Sequence, residues 1–432
     1  MKRKKNIERA KTALLILLTV NSVFFAYKTE IFNSYFSELG IVKGLLKQES
    51  EGAEAQPEGL YQYQTAALPQ AVAITGPSGL RFGLKYDSEG IKEIFNKFSS
   101  ELGEALGSAA QPVSVTEEEW SKALSAQSVY YDFGIDLSLE VLANWLGTDM
   151  KNWSEGSACR LFLTDDGNGE TLLYYMDAAG SFWRCETKAV WATIASELET
   201  YLPNGAEFCY EKRDLKDALK DAEPYSLIIN ELPELHTLLA QSSPFGDELK
   251  KRASEVLKVS LYGSYLETDG TLVYVDSSGT VKLSPDGYIR YTASEGGEGL
   301  TAAKSEAEMI EKARSIIVKL RSVFAGEEEL SLTSVTHEDT NYRIYFKYVI
   351  NGCDIKLNAE AASAMFKDGR LVQLKVKARS YTLTEDRVEV LPELAAAAAA
   401  GSLIKGSEAK LVWADTGGDK IVIRPDWIAE VA

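Results

Sequence analysis

The strongest constraint on this chain lies in its first 27 residues. Lys2, Arg3, Lys4, Lys5, Arg9 and Lys11, relieved only by Glu8, run straight into the apolar segment TALLILLTVNSVFFAY, Thr12 to Tyr27. That run is slightly short of the roughly 20 residues needed to cross about 30 Å of hydrocarbon. Ala10 on one side and Ile31, Phe32, Tyr35 and Phe36 on the other can extend it, while Lys11 and Lys28 reach toward the headgroups. Basic residues before the segment favour holding the N-terminus in the cytoplasm. The sequence therefore predicts a single-pass signal anchor in the cell membrane, with residues 1–11 as a cytoplasmic tail and the body extracytoplasmic. A cleaved signal peptide shares this grammar, but an end at Ala26 places Phe24 where cleavage wants a small residue.

Length and charge narrow the rest. A chain of 432 residues exceeds what one hydrophobic core usually organises, so two to three folded units are expected after the anchor. The net charge is −18, and the basic tail leaves about −23 for the remainder. Such a body repels phosphate backbones, and no basic, aromatic-interleaved patch occurs outside the N-terminus, so nucleic acid is not an expected partner. Cys159, Cys185, Cys209 and Cys353 match no zinc-ligand spacing, and the chain has only His236 and His337; no metal or cofactor is expected. Both isolated buried thiols and a disulfide fit these cysteines. A disulfide would be sought first among Cys159, Cys185 and Cys209, which fall in one predicted domain.

Hydrophobic periodicity orders the body. After a stalk and acidic linker over residues 28–60, an α+β domain is predicted over 61–240, a β-meander region over 241–300 and a second α+β domain over 301–432. Strands are expected at Ala71–Thr75, Leu80–Tyr86 and Val129–Phe133, followed by a meander through Cys159–Thr187. Helices are expected from Ile91 to Leu106, after the cap Thr116, from Ser138 to Leu146 and from Lys188 to Tyr201. Leu215–Ala222 and Asp247–Val259 read as further helices, and Leu261–Thr292 as a second meander. Ser305–Phe324 reads as a helix with a capping box at Ser305 and Glu308. Hairpins at Asn351–Gly352 and Asp368–Gly369 then connect strands up to Tyr381. A helix over Leu391–Ile404 precedes a closing hairpin of Lys410–Asp415 with Lys420–Trp427. The fold class is α+β: a transmembrane helix followed by extracytoplasmic antiparallel sheets with covering helices.

No catalytic constellation stands out. There is no nucleophile elbow, HExxH, phosphate loop or dinucleotide fingerprint, so the chain is read as a non-enzyme. Asp165/Asp166 and Glu327/Glu328 read as solvated turns and helix ends, and the two histidines as surface or packing residues. Candidate partner contacts are therefore Thr12, Thr19, Asn21 and Ser22, polar groups able to bond a neighbouring membrane helix.

The meander SGTVKLSPDGYIRYT resembles the strand pairs of the YycH and YycI family. YRIYFKYVINGCDI followed by FKDGRLVQLKVKARSYTL resembles the sheet of that family's C-terminal domain; PepSY-like domains share its helix-and-hairpin plan. The resemblance implies a regulator, without enzymatic activity, that places its membrane helix beside the transmembrane region of the sensor histidine kinase WalK of the WalK/WalR two-component system. It also implies a second YycH/YycI-like protein as partner. The alternative, second to this reading, is an envelope-anchored binding module for a peptide, glycan or protease, without enzymatic activity.

Overall fold

The computed structural model describes residues 68–153, 156–212, 216–243, 245–260, 263–297 and 299–431. The candidate anchor, stalk and linker lie outside these residues. Among the described residues, no helix is long and apolar enough to cross a membrane.

AVAIT is buried along its whole length, as befits an interior strand. It forms β1 (Ala71–Thr75), and β2 (Arg81–Lys85) returns beside it through the turn at Gly76–Gly79. Asp87 caps α1 (Ser88–Ser108), whose Ile91, Ile94, Phe95, Phe98, Leu102 and Leu106 face the core. After the short β3 (Val113–Ser114), Thr116 and Glu119 close a full capping box on α2 (Glu117–Leu124). Then come β4 (Ser128–Ser138), α3 (Leu139–Trp145), β5 (Ser157–Asp165), β6 (Glu170–Met176), β7 (Phe182–Val190) and α4 (Trp191–Leu198). The seven strands make one antiparallel sheet in the order β2-β1-β4-β5-β6-β7-β3.

A connecting stretch carries β8 (Glu207–Phe208), the four-residue α5 (Lys216–Leu219), β9 (Leu227–Ile228), β10 (Leu235–Ser242) and α6 (Asp247–Leu257). The second meander supplies β11 (Ser264–Leu266), β12 (Leu272–Val275), β13 (Gly279–Leu283) and β14 (Tyr288–Ala293). Ser305 caps α7 (Glu306–Arg321) by accepting from Glu308 N, but the Glu308 carboxylate accepts from Lys304 N rather than closing the box on Ser305. The chain ends with β15 (Glu329–Glu338), β16 (Asn341–Ile350), β17 (Cys353–Leu357), β18 (Ala362–Lys367), β19 (Arg370–Lys377), β20 (Arg379–Val388), α8 (Glu393–Leu403), β21 (Ser407–Asp415), β22 (Lys420–Ile423) and β23 (Pro425–Val431).

All described residues belong to one compact unit. The sequence-level boundary near residue 300 is crossed by the ladder of Tyr288–Thr292 with Gln373–Lys377, which joins the meander and the last unit into one eleven-stranded sheet. That sheet forks. β15 follows β16 throughout, and the other edge of β16 is divided between β18, up to Phe346, and β17, from Tyr348. One arm continues through β19 to the meander; the other continues through β21 to β23, with β17 and β21 parallel.

Two expectations change in detail. The strand ending at Tyr381 breaks at Ala378, where Arg379 is held on Asp415 Oδ1 and Oδ2, Ser242 and Gly418, and β20 departs into a three-stranded sheet with β10 and β22. The closing hairpin pairs β21 with β23, while Lys420–Ile423 crosses to β10. Both changes arise from long-range pairing that local periodicity does not encode.

Candidate functional site

Strand geometry brings charges together where the two large sheets meet. In the seven-stranded sheet, Lys85, Ala71, Asp132, Arg160 and Met176 lie opposite one another on successive strands, forming one cross-strand row on one face. In the other sheet, Glu408 faces Glu430 across β21 and β23, with Lys410 two residues along on the same face.

The two rows interlock. Arg160 reaches three different carboxylates with its three nitrogens: Nε to Asp132 at 2.8 Å, one terminal nitrogen to Glu223 at 2.6 Å and the other to Glu408 at 3.3 Å. Lys85 bridges Glu393 at 2.7 Å and Glu408 at 3.1 Å, and also donates to Leu227 O. Glu393 opens α8, where the helix N-terminus favours a carboxylate, and accepts from Ile229 N and the Tyr86 hydroxyl. Ser226 donates to Glu408 at 2.8 Å. Burial alone would raise the Glu408 pKa, but Lys85 and Arg160 bring it down to about 2. Burial likewise opposes the Lys85 charge, yet Glu393 and Glu408 hold its pKa well above the ordinary value.

Over this network open two adjoining clefts. One, of about 400 Å³, is lined by the aromatic Phe182 and Tyr225 and by the charged Asp136, Glu223 and Lys410. The second, of about 560 Å³, lies in the fork of the eleven-stranded sheet beside Lys347, Lys356, Lys410 and Glu430. They share Gly134, Ile135 and Lys410. The shared rim exists because β4 leaves its ladder with β5 between Asp132 and Leu137, and Gly134 takes a φ of 61° there, held by Asp132 Oδ1 accepting from its N–H. Both volumes fall in the roughly 300–1,000 Å³ range of ligand pockets. Phe182 and Tyr225 of the first cleft pack in an aromatic cluster with Trp120, Phe162 and Tyr174.

Thr12, Thr19, Asn21 and Ser22 lie outside the described residues. Cys159, Cys185, Cys209 and Cys353 are all free thiols, so the disulfide alternative among the first three is not formed. Cys159 donates to Met176 O beside the first cleft, Cys185 is buried within the main core, and Cys209 packs with Leu219, Ile228 and α8 in a separate small core. Burial pushes all three thiols up to about 12. His236 is tied to Thr384 O and Glu234, and His337 stacks on Tyr342. Asp165 and Asp166 cap their own turn. Glu328, read as solvated, is instead buried on Arg321, accepting from Tyr381 N, because it sits where β20 turns away. No cluster of metal-ligating side chains occurs among the described residues.

The charged network escaped the sequence reading because alternation defines a strand without showing which face is covered. Along RFGLK, the apolar rule selects Phe82 and Leu84 for the interior, whereas Arg81, Gly83 and Lys85 are the buried positions.

No protein-family model and no curated protein matches the chain. Among solved structures, the crystal structure of YycH from Bacillus subtilis matches across 88% of this chain and 97% of its own, with a TM-score of 0.50 and 10% sequence identity. At that identity the likeness is one of architecture: a mixed α+β chain of antiparallel sheets and helices with a YycH-like fold.

Proposed function

We propose that this protein is a membrane-anchored extracytoplasmic regulator that modulates a sensor histidine kinase of a two-component system through its N-terminal helix, without catalysing a reaction itself. The YycH-like fold, extending over 88% of the chain, carries this reading. The basic and apolar grammar of residues 1–27 supports it, since it supplies an anchor able to lie beside a kinase helix. A helix without a catalytic domain acts on a partner only by contacting two of the partner's states unequally. Thr12, Thr19, Asn21 and Ser22 supply polar contacts worth about 1 kcal/mol each. A coupling of about 1–3 kcal/mol changes kinase output about 5- to 150-fold. The body then acts as one cemented block, because Arg160 and Lys85 tie the seven-stranded sheet to β21 and α8.

The test is a chain in which Thr12–Tyr27 is replaced by an unrelated apolar helix of equal length, assayed in cells with a reporter for the response regulator. The expected result is loss of regulation while the body still folds and reaches the membrane. Unchanged reporter output would remove this reading.

A further inference from the structure

The two clefts adjoin at Gly134, Ile135 and Lys410, and the kinase reading uses neither. In the fork, Lys347 stands where β16 passes from β18 to β17, and Lys356 on β17 projects from the same face. Lys410 on β21 completes a group of three ammoniums. Two carboxylates pair with them directly: Asp354 takes Lys347 at 2.8 Å, and Glu430 divides its oxygens between Lys356 at 2.6 Å and Lys410 at 2.9 Å. Lys410 also faces the Glu408 carboxylate of the buried network, which with Glu430 holds its pKa above the ordinary value against the cost of burial. Burial and the nearby Lys410 and Lys356 hold the Lys347 pKa below its ordinary value, against the pull of Asp354. An added anion would relieve that repulsion.

Past the bulge of β4 the lining is acidic. Asp136 has no hydrogen-bond or ion-pair partner among the described residues and lines the first cleft with Glu117 and Asp177. Beside the lysines, Asp354 Oδ1 is buried without a partner, on a side chain only 7% exposed, and Asp354 lines the fork. An orphaned buried acceptor calls for an N–H or O–H donor. An anion alone satisfies the lysines but not this oxygen. A cation alone satisfies Asp136 but not the lysines.

We propose that the two adjoining clefts bind a short peptide, with its terminal carboxylate among Lys347, Lys356 and Lys410, its basic side chain toward Asp136, and a backbone N–H available to Asp354. The inference rests on the cleft geometry and stands or falls separately from the kinase reading. Phe182 and Tyr225 give the intervening apolar stem a surface to cover.

The experiment is calorimetric titration of the full chain in a non-ionic detergent with acetyl-Lys-Ala-Ala. Its C-terminal amide and its norleucine analogue serve as comparison ligands, and inorganic phosphate as a bare anion. The variants are Lys356→Gln, at a part-buried position paired with Glu430, and Asp136→Asn, at an exposed one, with thermal midpoints recorded to confirm folding. The free acid should bind, and both its amide and the Lys356→Gln variant should weaken binding roughly 10- to 100-fold. Amide and Lys356→Gln together should lose no more than either alone, as expected if both delete one contact. Norleucine and Asp136→Asn should form a second such cycle. Absence of peptide binding at millimolar concentration, simple additivity in both cycles, or phosphate binding at the lysine end with no peptide binding would each overturn the proposal.

Discussion

Replacing Arg160 by Met tests whether the charged junction cements the sheets. Arg160 is 2% exposed and satisfies three carboxylates from residues 28 to 248 positions away. Removing one member of a buried pair costs about 3–5 kcal/mol, because the remaining charge is stranded away from water. Three stranded carboxylates do not triple that cost. Asp132 keeps the Gly134 N–H, Glu408 keeps Lys85 and Ser226, and Glu223 is 14% exposed, so water reaches it. The expected loss is therefore about one buried pair, on the order of 4 kcal/mol at neutral pH. Its pH dependence has a definite sign. Without the guanidinium, burial raises the folded-state pKa of the orphaned carboxylates above their unfolded values. Such groups favour the folded state when protonated and cost stability as pH rises through the raised pKa. The deficit of Arg160→Met should thus be largest at pH 7–8 and shrink toward pH 4. Urea unfolding followed by tryptophan fluorescence across that range reads both quantities. A deficit under about 1 kcal/mol at pH 7, or one of equal size at pH 4, would refute the reasoning.

In the intact protein the sign is opposite: Glu408, held at about 2 against an ordinary 4.5, adds stability above pH 4.5 that disappears as pH falls toward 2. Glu408→Gln should flatten that acid limb of the unfolding curve; an unchanged limb would contradict the assigned pairing. The four thiols should resist iodoacetamide at pH 8 in the folded protein and react fully in denaturant, since burial suppresses the thiolate. Mass spectrometry reads this, and rapid native labelling of Cys209 or a mass two hydrogens light would contradict it. Gly401→Ala should destabilise by about 1–3 kcal/mol, because its Cβ would meet Ala222 N at 2.6 Å where α8 lies against the connecting chain. A thermal midpoint equal to that of the parent chain would show that this approach can relax.

Local signals were legible wherever one segment's own chemistry decided the outcome. Thr116 and Ser138 cap their helices. Asn351 and Asp368 adopt φ of 50° in their hairpins, as Asn-Gly and Asp-Gly permit. The similar stretches TLLYYMDAAGSFWR and TLVYVDSSGTVKLS share turn chemistry, for Asp177 and Asp276 each accept from the amides of their own turn. They lie in separate sheets. Illegible were the features set by distant partners: the break at Ala378, the crossing of Lys420–Ile423 to β10, and the fork at Lys347. The same holds for the site. Arg160 in RLFLT and Lys85 in GLKY resemble solvent-facing charges until Glu408, Glu223 and Glu393 arrive from more than 60 residues away.

The proposed regulation acts through residues 12–27 rather than through the body, and kinase activity in a defined membrane tests it most directly. Kinase autophosphorylation is followed in proteoliposomes containing the sensor kinase alone, with the full chain, or with the chain carrying an unrelated helix in place of Thr12–Tyr27. The account predicts a change of about 5- to 150-fold with the full chain and none with the exchanged helix. An equal effect from both chains, or no effect from either, would contradict it.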